Sequence, residues 1–133
     1  MSNNLERLTK YIHNYYNLPN PKLFFFDNIA FDKIESQIVQ LSNQLSLSSS
    51  IISFENCQHT DDLLEHISNS HSHLIFIKIN TLLSQTNLSF FNMHRENFFK
   101  CNKLLFIITN DQQINNFIEY APDLFSWHSS IFS

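Results

Sequence analysis

Four short apolar runs recur along this chain, separated by stretches with helical spacing. That alternation restricts the folds open to it more than any other feature. The runs are KLFFFD (22–27), IISFE (51–55), HLIFIKI (73–79) and KLLFIIT (103–109). Each is rich in Phe, Ile or Leu, shorter than an ordinary helix and bounded by Pro, Ser, Asn or Asp. Such runs predict strands buried on both faces. Around them Leu5, Leu8 and Ile12 step by three and four, and Phe31, Ile34, Ile38, Leu41 and Leu45 make a second stripe. Leu63, Leu64 and Ile67 come after a start at Thr60-Asp61-Asp62, with Thr60 the candidate cap. A helix is expected from about 87 to 100, with Phe90, Met93 or His94, and Phe98 on one side and Glu96 paired to Lys100. Another begins at Asn110 or Asp111 and carries Ile114, Phe117 and Ile118 until Ala121-Pro122 stops it. Residues 130–132 are the candidate last strand. The expectation is a three-layer α/β fold: a mainly parallel sheet of four or five strands, helices on both faces, right-handed crossovers.

Length sets this at one domain, residues 1–133. The chain stops directly after SSIFS with no polar tail, so it is expected to be the N-terminal module of a longer protein. A chain of this size can bury a core without metal or disulfide help. Cys57 and Cys101 read as two thiols rather than a disulfide framework.

The most restrictive single count is that of glycine, which is zero. A phosphate-cradling Walker A loop needs Gly twice, a dinucleotide fingerprint needs it three times, and a GxSxG nucleophile elbow needs it as well. None can exist here. Asn, which tolerates left-handed backbone, can serve the turns instead. The formal charge is −4, with 8 Lys plus Arg scattered along the chain. No basic patch forms from neighbours, so nucleic acid is not an expected partner. No apolar run is long enough to span a bilayer, and MSNNLERLTKYIHNYY is too polar for a signal peptide. No membrane is expected as a partner, and the location expected is cytoplasmic.

Metal-capable residues cluster at Cys57, His59, His66, His71 and His73. Zinc sites favour tight pairs such as CxxC or HxxxH, which this spacing does not match, and the two halves fall at opposite ends of parallel strands. No metal and no cofactor is assigned. Asp27, Glu55, Asn80 and Asp111 stand just after the four strands, at the carboxyl edge where open α/β sheets bind ligands. They define a possible ligand edge, where Asp27 and Glu55 could hold a cation. The competing use is helix capping and turn formation. No catalytic set is recognised, and the chain is not expected to be an enzyme.

The densest stretch is residues 90–127. In FNMHRENFF, Asn92 and Arg95 are three apart and share a helix face. Arg95 can bind a phosphate or an acidic partner, or pair within the chain with Asp123. In APDLFSWHS, Pro122 breaks a helix, Asp123 can cap the next turn, and Leu124, Phe125 and Trp127 are expected to pack against the sheet edge. The combination of Asn92, Arg95 and Glu96 on a helix, then LLFIIT, then APDLFSW resembles a bacterial domain found near the N-terminus of multidomain proteins. That domain occurs ahead of tetratricopeptide repeats or beside STAND or NACHT-type ATPases. Its fold is similar to a P-loop NTPase core, and it typically ends in APDLWSWRS followed by a small apolar strand. The likeness spans residues 22–132 in layout. Phe125 stands where that family has Trp, His128 where it has Arg, and Ser130 where Gly is common.

The resemblance implies an NTPase-like fold without a P-loop, used for protein contacts in bacterial immune or conflict signalling. Asn92, Arg95, Glu96, Pro122, Asp123, Phe125, Trp127 and His128 form its signature, with Trp127, Phe125, Arg95 and His128 the candidate contacts to a protein partner or a second copy. The alternative is a small-ligand sensor or enzyme using the carboxyl edge.

Overall fold

The computed structural model describes residues 3–15, 22–57, 60–99 and 103–132. The elements run α1 (Asn3–Tyr15), β1 (Lys22–Asp27), α2 (Asn28–Gln44), β2 (Ser49–Ser53), α3 (Thr60–Asn69), β3 (Leu74–Lys78), α4 (Gln85–Met93), α5 (Arg95–Phe99), β4 (Leu104–Thr109), α6 (Asp111–Tyr120), α7 (Pro122–Phe125) and β5 (His128–Phe132). The five strands form one sheet in the order β2-β3-β4-β1-β5, and every neighbouring pair is parallel.

Period-two alternation sorts the side chains into two cores. Leu23, Phe25, Ile75, Ile77, Leu105 and Ile107 face one way, onto α3, α4, α5, α6 and α7 through Leu63, Ile67, Leu88, Phe91, Phe98, Ile114, Phe117 and Leu124. Phe24, Phe26, Leu74, Phe76, Phe106, Ile108 and Phe132 face the other way, onto Leu8 and Ile12 of α1 and Phe31, Ile34 and Ile38 of α2. The central strands therefore contain no alternating polar face, as a sheet covered on both sides requires.

The register places Phe24 opposite Phe106 and Phe106 opposite Phe76. Their rings stack with centroids 4.8 Å apart in both pairs. Phe26 stacks on Phe132 at 4.7 Å, which ties edge strand β5 to β1. Burying one Phe side chain contributes about 1.5–3 kcal/mol, and an aromatic pair about 0.5–1.5 kcal/mol more. This ladder across β3, β4, β1 and β5 is the rigid floor on which α1 and α2 sit.

Several local expectations need correction. The second strand is Ser49–Ser53, and Phe54–Asn56 forms a single 3₁₀ turn. The helix expected over 87–100 begins earlier, because the Ser84 hydroxyl accepts from the Asn87 N–H as its cap, and it breaks at His94 into α4 and α5. The buried face is Leu88, Phe91 and Phe98, at helical spacings of three and seven, and Met93 is 74% exposed. Lys100 and the Thr60 side chain lie outside the described residues, as do His59 and Cys101. No described helix is long and apolar enough to cross a membrane.

Replacing Phe106, which stacks on two rings, with Ala should cost about 3–5 kcal/mol. The same change at half-buried Phe125 should cost clearly less. Urea unfolding of both variants checks the order.

Candidate functional site

Parallel strands deliver their last residues to one edge, which is where open α/β sheets place their ligands. At its centre β1 ends in Asp27 and α2 begins at the next residue. The Asp27 carboxylate caps the helix: Oδ2 accepts from Ile29 N and Ala30 N, both at 3.2 Å. An intrinsic anion thus occupies the exposed N–H groups and positive dipole end of α2, the features with which a helix start holds phosphate. No residue lies between strand and helix to wrap a ligand. At the end of β3, Lys78 pairs with Glu35 of α2 at 3.2 Å.

Glu55 is also engaged. Glu55 Oε1 accepts from Asn80 N (2.7 Å) and Thr81 N (3.0 Å), and Oε2 accepts from the Ser53 hydroxyl (2.7 Å). Partial burial pushes the Glu55 pKa up, but these hydrogen bonds, with one from its own backbone, outweigh it and hold the carboxyl below the ordinary range. Asn80 joins the site through its backbone, and Asp111 stands exposed in the first turn of α6, whose cap is Asn110. Glu55 and Asn80 therefore meet. Asp27 is turned to the α2 layer, while Asp111 opens a helix of the opposite layer. Asp27 and Glu55 come after strands three steps apart, roughly 14 Å at about 4.8 Å per step.

Sequence reasoning missed the buried polar knot beneath this edge. Gln113 is fully buried. Its Oε1 accepts from Leu83 N (2.8 Å), and its Nε2 donates to Thr81 O (2.7 Å) and to Thr109 Oγ1 (3.3 Å). Thr109 Oγ1 donates to Ile79 O at 2.9 Å. The spacing Gln113–Phe117, four apart on the buried face of α6, was the available signal.

The second candidate region is the signature stretch, which closes into one unit. Asn92 Oδ1 accepts from Asp123 N (2.9 Å) and Leu124 N (3.0 Å), and its Nδ2 donates to Asp123 Oδ2 (3.2 Å). Asn92 of α4 is thus the cap of α7, a role the sequence suggested for Asp123. Arg95 donates to Asn92 O at 2.7 Å, using a carbonyl released where α4 breaks. Its guanidinium lies 4.0 Å from Asp123 and 5.7 Å from the centre of the Trp127 ring. Glu96 is in the first turn of α5, and Pro122 occupies the first position of α7. The expectation that the apolar group packs inward holds for Leu124, 1% exposed, but Trp127 remains 44% exposed beside Arg95. His128 is half-buried: its Nδ1 bonds Phe125 O, and its ring lies 4.1 Å from Phe125 and 6.1 Å from Phe25.

Cys57 comes after the carboxyl end of β2, whereas His71 and His73 precede β3 at the opposite end. Burial, then the negative charges of Asp62 and Glu55, raise the Cys57 thiol pKa, which keeps it protonated and unreactive at neutral pH. His73 Nδ1 accepts from Ser48 N at 3.1 Å. Among the described residues no three His, Cys, Asp or Glu side chains gather as a metal site.

Likeness to solved structures defines the class of this fold. The chain is similar to the ORC2 protein of Aeropyrum pernix, solved as ADPNP-ADP complexes, at 9% identity and a TM-score of 0.56 over 96% of this chain and 45% of that one. It is similar to Cdc6p of Pyrobaculum aerophilum at 12% identity and a TM-score of 0.53, over 97% of this chain and 44% of that one. The fold is therefore an NTPase-like α/β fold, and the chain spans less than half the length of these structures. No family model and no curated protein matches the sequence.

The bonded groups set expected outcomes for substitution and for pH. Asn92→Ala should destabilise the chain by about 0.5–2 kcal/mol through the lost cap. A double-mutant cycle with Asp123→Ala should show coupling of about 0.5 kcal/mol or more, measured by chemical denaturation. Because the folded pKa of Glu55 is depressed, its contribution is present above the unfolded value and is lost as pH falls through the folded one. Glu55→Gln should accordingly lose less stability than wild type when pH drops below about 4.3, the ordinary glutamate value.

Proposed function

We propose that this chain is a non-catalytic protein-interaction or regulatory module built on an NTPase-like fold. One observation carries the reading: the Asp27 carboxylate sits on the helix start that comes directly after β1, an interior strand of the sheet. A phosphate brought there would have to displace a covalently tethered anion and would meet like charge. The absence of any Gly supports the same reading, since no cradle of backbone N–H groups can be built from this chain. The ligand-sensor alternative has less support, because Asp27 is used as a helix cap and Glu55 as a loop tie.

The contact surface favoured is the Arg95–Trp127 shelf, where a large aromatic ring and a guanidinium lie together, a pairing common at interaction hot spots. The likeness of the Asn92, Arg95 and APDLFSW pattern to a bacterial domain of multidomain proteins supports a setting in cytoplasmic immune or conflict signalling, alongside tetratricopeptide repeats or a STAND or NACHT-type ATPase.

Isothermal calorimetry of the purified chain with MgATP should give no binding heat, and phosphate release should stay at background. A dissociation constant in the micromolar range would overturn the reading.

A further inference from the structure

The two edges of the sheet are treated differently. At β5 the Arg7 guanidinium of α1 donates to the Ser130 hydroxyl and to the Ile131 carbonyl, the latter at 3.1 Å, and lies 4.7 Å from the centre of the Phe132 ring. A charged side chain thus meets a backbone acceptor of that strand and guards the edge. At β2 no charged side chain meets a backbone acceptor among the described residues, and only the Cys57 thiol reaches one, Ser53 O at the end of the strand, at 4.0 Å. The strand reads SSIIS; none of its residues is fully buried, and Ile51 is 49% exposed. It pairs with β3 on one side only. It carries no charge, no Pro and no bulge, the usual devices that keep an edge from pairing.

We propose that β2 is a self-association edge: two copies pair antiparallel about a two-fold axis at Ile51, joining two five-stranded sheets into one. This rests on the interaction reading and adds a second surface to the Arg95–Trp127 shelf. Three features select a second copy as the occupant. Directly opposed residues of an antiparallel pair share a face, so Ile51 against Ile51 covers the one strongly exposed apolar side chain of the strand in both chains. That register sets Ser50 against Ile52 and Ser49 against Ser53, so no like charges face each other. An isologous contact also closes on itself, and the edges left at the two ends are the β5 strands that Arg7 covers, so growth stops at the dimer. Side chains on the strand lie outside both cores' fully buried sets, and substitution at Ile51 leaves those cores intact.

Sedimentation velocity over a concentration series tests this, with circular dichroism and the unfolding midpoint to verify each fold. Wild type should shift with concentration towards twice the chain mass. Ile51→Lys and Ile51→Glu should each sediment as folded monomers, and an equimolar mixture of the two should recover the dimer, because the opposed charges then attract. A wild-type monomer at every concentration up to about 1 mM overturns the edge pairing. So does a dimer that persists unchanged in Ile51→Lys, although that outcome leaves the interaction reading standing on another surface. Neither outcome touches the calorimetric test of nucleotide binding, so the two readings fail separately.

Discussion

A chain without glycine has to pass from strand to helix on backbone angles that every residue can adopt, and the rest of this structure depends on how it does so. Among the described residues only Ser46 has positive φ, at 57°. The junctions are instead closed by side chains in extended backbone: Asp27 before α2, Ser84 before α4 and Asn110 before α6. Where the cap residue is Ala121, which has no polar group, Asn92 reaches across from α4 to supply the oxygen. Each such bond satisfies N–H groups that a helix start otherwise leaves open.

That solution has a chemical consequence. Helix α2 starts at the residue after the interior strand β1, and a helix start is a place where backbone N–H groups can hold an anion. Here the anion belongs to the protein. The same economy holds at the β3 end of this edge, where Glu55 ties down the backbone after β3 and Gln113 bridges Leu83, Thr81 and Thr109. Polar groups that could define a ligand site are instead spent holding loops. The Arg95–Trp127 shelf and the edge strand β2 lie outside that edge, where Trp127 and Ile51 are exposed.

The architecture was legible because its causes are local. Apolar runs too short for helices, separated by stripes at helical spacing, give a covered parallel sheet, and the fifth strand was visible at residues 130–132, two residues short of its start at His128. Asn92 and Arg95 were recognisable as partners by their spacing. What the sequence concealed depends on contacts between distant segments. At the split after Met93, Arg95 takes the Asn92 carbonyl while Asn92 caps α7. The choice between ligand edge and cap for Asp27 turns on whether its carboxylate points back onto Ile29 and Ala30, which no pattern of residue types reveals. Gln113 reads as an ordinary helix residue until the loop after β3 is placed above it.

The helix start after β1 is already occupied by Asp27. The amide resonances of Ile29 and Ala30 report on it directly. In a proton–nitrogen correlation spectrum these two signals should stay in place as MgATP is added to the intact chain, because both N–H groups are bonded to Asp27. A saturable movement of either signal would show that a phosphate reaches the seat, and would contradict the account.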